Sequence, residues 1–303
     1  MSLFAIILVC ISAFMQAGWN LLSKSQYPSS TFFLVASTTG ALLLSPVIII
    51  NWDTVAHDIS FQVWQLVSMA GFCMALYYIA LAGAYRAGDI SIAYPIARSF
   101  PVIVVSVVTL ILGRGDQVSG LCVAGIFCVV GGCFLLPLQR FGDFRFKNYF
   151  NTTCGLALLA AIGTSGYTIL DDEALRILRT APGIDMTNTW VTILYAFFEA
   201  LWASFWLLLY VAATRRGRSD MYKELRLSKK NAILAGIAIQ VTYAIVLISM
   251  AFVSNVSYVA GFRQLSIPLG AALGIVVLKE KLYPPKLTGV IIMFAGLVFL
   301  AIG

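Results

Sequence analysis

The sequence predicts an all-α integral membrane protein, with ten transmembrane helices arranged as two inverted five-helix repeats. Hydrophobic residues make up 60% of the 303 residues, and charged residues make up only 11%. A soluble domain carries about 25% charged residues, so this composition indicates a polytopic membrane protein. Two further observations support the prediction: apolar runs of span length recur along the chain, and motifs of the first half return in the second.

Ten apolar runs are long enough to cross a bilayer, which requires about 20 residues as a helix. They cover roughly residues 2–22, 30–50, 63–85, 91–112, 117–138, 152–171, 188–212, 231–253, 257–278 and 286–302. The first run has neither a basic start nor an A-x-A cleavage site, so we predict a transmembrane helix there and not a signal peptide. Two connectors are long, at Asp171–Thr187 and Arg215–Lys230.

The chain divides near residue 150 into two halves that repeat each other, residues 1–150 and residues 151–303. The matching motifs have a common order: Gly18-Trp19-Asn20 with Gly166-Tyr167-Thr168, Tyr94 and Pro101 with Tyr258 and Pro268, and Gly125 and Gly132 with Gly289 and Gly296. Because each half has an odd number of spans, the second half enters the membrane from the opposite side. Such an inverted repeat supports alternating access to a site near the membrane midplane.

Basic residues outside the predicted spans are distributed unequally between the two sides of the membrane. Fifteen lysines and arginines lie on one side and three on the other, and the richer side is expected to be cytoplasmic. This distribution predicts a protein of the bacterial inner membrane with both termini outside. The net charge of +7 therefore indicates topology and contact with anionic lipid head groups, and we expect no nucleic-acid partner.

The residue types needed for metal, redox or nucleotide chemistry are scarce. The six cysteines lie in or beside apolar runs without paired spacing, which is typical of small buried residues. His57 is the single histidine, and the chain has no Walker A loop, so we expect no metal, no cofactor and no direct coupling to ATP. The Gly270 and Gly274 pair permits close helix contact, either within a monomer, which is favoured, or in a homodimer.

Two arginines remain inside predicted spans, Arg98 in the fourth and Arg263 in the ninth. A charge at that depth costs at least ~2.5–3.5 kcal/mol, and Pro95 and Pro101 also disturb the helix around Arg98. We interpret both arginines as cavity-facing groups that bind an anionic substrate group, such as a carboxylate or phosphonate. The alternative is a structural role, in which each pairs with a buried carboxylate or helix carbonyls, or extends to an interface.

Glu199 lies midway along the seventh span, in the sequence F-F-E-A-L-W. One interpretation is a coupling carboxylate that is protonated in one state and ionised in another, with the proton as coupling ion. The alternative is a structural partner for Arg98 or Arg263, or a neutral acid that is hydrogen-bonded to a neighbouring helix.

Aromatic and amide side chains near these charges are candidates for the wall of a substrate cavity. They are Trp19, Asn20, Tyr78, Tyr94, Tyr167, Gln240 and Tyr243. Tyr94 is favoured because it lies one helical turn from Arg98. The alternatives are an interfacial belt for Trp19 and the tyrosines, and interhelical hydrogen bonds for Gln240 and Tyr243.

These features together resemble the drug/metabolite transporter superfamily of the EamA type. The resemblance rests on A-G-W-N-x-L-x-K in the first span, Y-P-x-x-R-S-F-P at residues 94–101, G-Y-T-I-L-D at residues 166–171 and L-K-E-K-L before the tenth span. It implies a ten-helix inverted repeat with a central cavity lined by spans 1, 3, 4, 6, 8 and 9. The loop at residues 113–116 departs from it by lacking the glutamate-plus-basic pattern of Glu280-Lys281, and Arg98 and Arg263 are not general family residues.

The sequence thus predicts a secondary transporter for a small polar metabolite, anionic or zwitterionic, such as an amino acid, an organic acid or a phosphonate. We expect no enzymatic activity. The alternative is a membrane-embedded enzyme that acts on a lipid or lipid-linked substrate, with a surface cluster of Asp171, Asp172, Glu173 and Asp185. A non-transporting partner subunit is disfavoured, because a scaffold has little use for arginines inside its spans.

Overall fold

In the computed structural model, helices are the regular secondary structure of the described residues, which contain no strand and are joined by irregular connectors. The structure describes residues 2–23, 29–53, 58–87, 97, 100–105, 107–108, 111, 119–135, 138–143, 145, 151–227, 229–269, 272 and 282–302. The predictions for Tyr94, Arg98, His57, Gly270, Gly274, Glu280-Lys281 and the loop at residues 113–116 fall outside these residues. Trp19 and Asn20 are described as helical backbone only.

Helices follow one another along the chain with short connectors. The described α-helices are α1 (Leu3–Ser23), α2 (Ser30–Leu44), α3 (Pro46–Ile50), α4 (Phe61–Ala87), α5 (Gly120–Leu135), α6 (Thr152–Thr180), α7 (Asn188–Ala213), α8 (Arg215–Leu227), α9 (Lys229–Ser249), α10 (Val256–Phe262) and α11 (Pro284–Ile302). Described 3-10 helices occur at Phe141–Asp143, Met250–Phe252 and Arg263–Leu265.

Many of these helices are apolar over a length that suits a lipid bilayer. Among the described residues, five stretches are long and apolar enough to cross a membrane: Ser30–Ile50, Phe61–Ala84, Thr152–Thr180, Asn188–Ala213 and Lys229–Phe252. Shorter apolar helices are Leu3–Gly18, Gly120–Leu135 and Pro284–Leu300. The helical class is therefore confirmed, and the apolar helices fit a membrane location.

Polar side chains and proline determine where several helices begin. Ser29 accepts a hydrogen bond from the Phe32 backbone N–H at 3.0 Å, and Asn151 accepts one from Cys154 at 2.9 Å. Each cap satisfies a backbone donor that the first helical turn leaves unpaired. The boundary between α2 and α3 falls just before Pro46, because proline lacks a backbone donor and suits the first turn of a new helix.

Helix α6 is longer than the sequence predicts. The sixth predicted span covers roughly residues 152–171, whereas the helix continues to Thr180. Asp171 is 0% exposed, so it belongs to the interior and not to a connector. The predicted surface cluster of acids is therefore wrong at its first member, while Glu173 forms an ion pair with Arg176 on the same helix.

Glycines allow several pairs of the described helices to approach closely. Helices α5 and α11 meet where a Cβ atom on Gly125 would lie 2.7 Å from the Gly296 oxygen, and one on Gly132 would lie 2.6 Å from the Gly289 oxygen. Helices α4 and α7 meet where Gly71 faces the backbone of Trp202 and Ala203, and helices α2 and α9 meet where Gly236 faces Ala36. Small residues of this kind bring helix backbones together in membrane proteins.

The predicted ninth span is interrupted where it carries its charge. Helix α10 ends at Phe262, a 3-10 helix covers Arg263–Leu265, and α-helical geometry resumes at residues 266–269. Pro268 explains the interruption, because its ring clashes with the carbonyl four residues earlier, at Gln264, and cannot donate to it. Within the described residues 256–269 the α-helix is therefore not continuous, and the 3-10 turn carries Arg263.

Candidate functional site

A polar cavity lies between helices from both halves of the chain. Its described polar lining comes from α1, α2, α4, α6, α9 and the 3-10 turn after α10: Gln16, Ser37, Tyr77, Tyr78, Tyr167, Gln240, Thr242, Tyr243 and Arg263. The cavity volume is about 50 Å³, and a water molecule requires roughly 10–15 Å³ by this measure. The cavity therefore accommodates a few waters, and a metabolite requires its walls to separate.

The structure brings five of the predicted substrate residues together at this cavity. Tyr78, Tyr167, Gln240, Tyr243 and Arg263 all line it. Tyr94 and Arg98 lie outside the described residues, and the side chains of Trp19 and Asn20 are not described. The predicted coupling residue, Glu199, lies directly behind the wall and contacts Tyr243.

Four tyrosines form a continuous aromatic wall that joins α4, α6 and α9. Ring centroids are 5.1 Å apart between Tyr77 and Tyr78, 6.1 Å between Tyr77 and Tyr167, and 5.7 Å between Tyr167 and Tyr243. The last two pairs have the edge-to-face geometry that aromatic rings favour. Tyr78, Tyr167 and Tyr243 are each less than 10% exposed, so they are interior residues and not members of an interfacial belt.

Arg263 supplies a positive charge to the same cavity. Its guanidinium carbon lies 5.8 Å from the centre of the Tyr243 ring, within the range of a cation–π contact. Its Nε atom is buried and has no hydrogen-bond partner among the described residues. An arginine with an unused donor at a cavity is suited to binding an anion, because the guanidinium presents several parallel N–H groups.

Gln240 makes an interhelical hydrogen bond and also lines the cavity. Its amide nitrogen donates to the Ala196 carbonyl of α7 at 3.4 Å, which is a long interhelical hydrogen bond. Its side chain also lines the cavity and lies against Gly40 of α2, where a Cβ atom would approach the amide oxygen to 2.6 Å. Gln240 therefore helps to hold α2, α7 and α9 around the cavity.

Two buried carboxyl groups stand next to the cavity and share one tyrosine. Tyr195 donates a hydrogen bond to Asp171 Oδ1 at 2.7 Å, and the Tyr243 hydroxyl bonds to Asp171 Oδ2. The same Tyr243 hydroxyl lies 3.3 Å from Glu199 Oε1. Asp171 is 0% exposed and Glu199 is 1% exposed, so the group joins α6, α7 and α9 away from bulk water.

Sequence reasoning missed two members of this group, Asp171 as an interior residue and Tyr195 altogether. Asp171 follows an apolar run and precedes another acid, which is typical of a span end. A usable signal existed in the periodicity, because Tyr167 and Asp171 lie four residues apart and therefore on one helical face. Tyr195 carried an equivalent signal through its four-residue spacing from Glu199.

Comparison with known proteins supports the fold and no particular activity. No family model matches the chain, and no curated protein matches it. Twenty-eight chains of solved structures match. One of them, described only as "Crystal structure of protein", has a TM-score of 0.68 and 16% sequence identity, over 98% of this chain and 96% of that chain. At that identity the likeness shows a shared fold across essentially the whole chain.

Proposed function

We propose that this protein is a secondary transporter that moves a small polar metabolite across the bacterial inner membrane by alternating access. The observation that carries the proposal is a cavity with a cation, Arg263, and hydroxyl and amide groups enclosed among apolar helices. Charged groups within a membrane-spanning bundle are rare and commonly mark substrate or ion pathways. The resemblance of the sequence to the EamA type of drug/metabolite transporter supports the same proposal.

The proposed architecture has ten spans in two inverted five-helix repeats, covering residues 1–150 and 151–303. In that repeat, Gly125 and Gly132 of α5 correspond to Gly289 and Gly296 of α11. If each residue of the Gly125–Gly296 contact is replaced by its counterpart in the other half, the result is a contact between Gly289 and Gly132. That second contact is also present. A contact set that is unchanged by the exchange is what a pseudo-two-fold axis between the halves produces.

A second pair of glycine contacts obeys the same exchange. Gly71 of α4 lies against Trp202 of α7, and Gly236 of α9 lies against Ala36 of α2. The repeat relates α4 to α9 and α2 to α7, so each contact is the counterpart of the other. This agreement involves four helices other than α5 and α11 and is therefore independent support for the inverted repeat.

The proposed substrate is anionic or zwitterionic, such as an amino acid, an organic acid or a phosphonate. Arg263 supplies the positive charge that binds a carboxylate or phosphonate group. The tyrosine wall supplies hydroxyl groups and ring faces for the rest of the substrate. The cavity volume of about 50 Å³ is too small for such a molecule, so we assign the structure to a nearly closed state of the transport cycle. Substrate entry then requires the two halves to move apart at one end.

A thermal-shift screen of the purified protein tests the substrate class. The panel contains carboxylates, phosphonates, amino acids and organic cations, and a ligand at one hundred times its Kd adds about 2.7 kcal/mol of stability. We expect anions or amino acids to stabilise the wild type and Arg263→Gln to bind them about 10- to 100-fold more weakly, because one charge-assisted contact is lost. Uptake of the identified ligand into proteoliposomes then tests transport.

The matched control is Arg176→Gln, which removes an arginine that is exposed and paired with Glu173 away from the cavity. This variant is expected to bind the ligand as the wild type does. Equal responses of Arg263→Gln and the wild type would contradict the assignment of Arg263. Stabilisation by cations alone would contradict the anionic class.

A further inference from the structure

The Tyr243 hydroxyl is in contact with two carboxyl groups, although it has only one hydrogen to donate. It bonds to Asp171 Oδ2 and lies 3.3 Å from Glu199 Oε1. An ionised carboxylate only accepts hydrogen bonds, whereas a protonated one also donates. If both acids were ionised, one carboxylate oxygen would face a lone pair of the hydroxyl with no hydrogen between them. The contact pattern therefore requires one additional proton on the pair of acids.

The surrounding contacts decide which acid holds that proton. Asp171 is contacted on both oxygens, by Tyr195 on Oδ1 and by Tyr243 on Oδ2, which is the arrangement that an ionised carboxylate favours. Glu199 has one contact, and its Oε2 atom has no hydrogen-bond partner among the described residues. An ionised carboxylate with such poor solvation is costly in the interior, so Glu199 is the neutral member.

We propose that Glu199 is a proton-binding site, which shares its proton with Asp171 through the Tyr243 hydroxyl. In this arrangement Glu199 donates to Tyr243, and Tyr243 donates to Asp171. The transfer is balanced: a proton that passes from Glu199 to the tyrosine oxygen releases the phenol proton to Asp171. One proton and one unit of negative charge are therefore held by the two acids together.

Several charged or titratable groups face this site from the elements packed around it. Among the described residues they are Cys73, Tyr77, Tyr78, Tyr167, Asp172, Tyr195 and Arg263. Arg263 is the only cation in this set, and it acts on both Asp171 and Glu199. Asp172 is partly exposed, whereas Asp171 and Glu199 are buried, so this one cation balances one of the two buried acids, in agreement with a neutral Glu199.

The first half of the chain holds an apolar counterpart of the same contact. Tyr78 and Phe33 occupy the positions that the proposed repeat relates to Tyr243 and Glu199, and their rings stack at 4.5 Å between centroids. A phenyl ring therefore stands where the second half has a carboxyl group. Among the described residues, the first half therefore has no acid at the position that corresponds to Glu199.

If the proposed transport function holds, the proton site predicts whether the proton and the anion move in the same direction. An anion bound at Arg263 places negative charge beside Tyr243 and draws the cation away from the two acids. Both effects favour retention of the proton, and by reciprocity the bound proton favours the anion. Anion and proton are then carried together in one direction, as in a symporter.

Infrared difference spectroscopy of the purified protein tests the proton site without a substrate. At neutral pH the wild type is expected to show the carbonyl band of a protonated carboxyl group, and Glu199→Gln is expected to lose it. Asp185→Asn, at an exposed connector residue, and Glu224→Gln are controls at two acids outside this site, and both are expected to retain the band. Tyr243→Phe retains the acid but removes its acceptor, so the band is expected to shift in frequency.

Absence of the band from the wild type, or its persistence unshifted in both Glu199→Gln and Tyr243→Phe, would overturn the proposal. If Glu199→Gln does not fold, Tyr243→Phe by itself tests the proposal. An unshifted band in that variant would show that the proton is bound elsewhere. The direction of coupling is tested separately, by the affinity for the anion found in the thermal-shift screen. That affinity is expected to rise by about fivefold or more toward acidic pH, and an unchanged affinity in a protein with the Glu199 band would refute symport alone.

Discussion

Arg179 donates a hydrogen bond to the Leu247 carbonyl at 3.2 Å and thereby joins the end of α6 to the end of α9. The same nitrogen also donates to the Thr192 hydroxyl of α7 at 2.9 Å. Leu247 is in the last turn of α9, where unpaired carbonyls carry the negative end of the helix dipole and attract a cation. Three helices that flank the buried acids are therefore tied together at one end of the bundle by a single side chain.

Replacement of Arg179 by glutamine is expected to loosen this end of the bundle. The variant loses two charge-assisted hydrogen bonds, each worth about 1.5–3 kcal/mol to a partner that stays buried. The two losses together are expected to lower the stability by roughly 3–6 kcal/mol, measured by chemical denaturation in detergent. Arg176→Gln removes an exposed ion pair one turn away and is expected to cost less than about 1 kcal/mol. Equal losses in the two variants would show that Arg179 has no special role.

Packing between α5 and α11 is expected to be sensitive to a single methyl group at Gly132. A Cβ atom there would lie 2.4 Å from Met293 Cγ and 2.6 Å from the Gly289 oxygen, and the latter is backbone that cannot rotate away. Gly132→Ala is therefore expected to destabilise the protein by about 1–3 kcal/mol. Its neighbour Gly131 is the matched control, because a Cβ atom there meets nothing within 4 Å.

Gly131→Ala is expected to be neutral or to stabilise the protein by up to about 1 kcal/mol, because alanine favours the helix. Thermal unfolding of the two variants beside the wild type provides the measurement. A Gly132→Ala protein as stable as Gly131→Ala would show that α5 and α11 do not meet as described.

Glu224, in the basic helix α8, predicts a pH dependence of stability. Burial and the neighbouring Asp220 raise the pKa of Glu224 above its ordinary value. A carboxyl group with a raised folded-state pKa stabilises the fold fully at pH values below its unfolded pKa. That contribution is lost as the pH rises from the unfolded pKa through the folded one. We expect the melting temperature of the wild type to fall over this range, and Glu224→Gln to lack that part of the decrease.

The glycine contacts between α5 and α11 could be predicted from the sequence, whereas the acid site beside the cavity could be predicted only in part. Gly125, Gly132, Gly289 and Gly296 have equal spacing in their spans, and a small residue in an apolar helix has few roles other than close packing. The sequence identified Glu199 because it interrupts a long apolar run. A lone acid in such a run is unusual whatever its neighbours are.

Asp171 illustrates what hydropathy cannot provide. Its partners Tyr195 and Tyr243 lie 24 and 72 residues away along the chain, and only the fold brings the three hydroxyl and carboxyl groups together. A buried acid with tyrosine partners and an exposed acid at a helix end have the same local sequence. The position of the Arg263 charge is likewise not predictable from local sequence. Pro268 predicts a disturbed helix but not the direction in which the charge points.

The orientation predicted from the basic residues has a direct test in the connectors on either side of α7. Asp185, in the connector before α7, and Lys223, in α8 after it, are both exposed. Because α7 is long enough to cross the membrane, they are expected on opposite sides, with Lys223 in the cytoplasm among the basic residues. An impermeant maleimide applied to intact cells should label Asp185→Cys, and it should label Lys223→Cys only after permeabilisation. The wild type provides the background from its own cysteines. The reverse pattern would invert the proposed topology, and labelling of both positions from outside would show that α7 does not span the membrane.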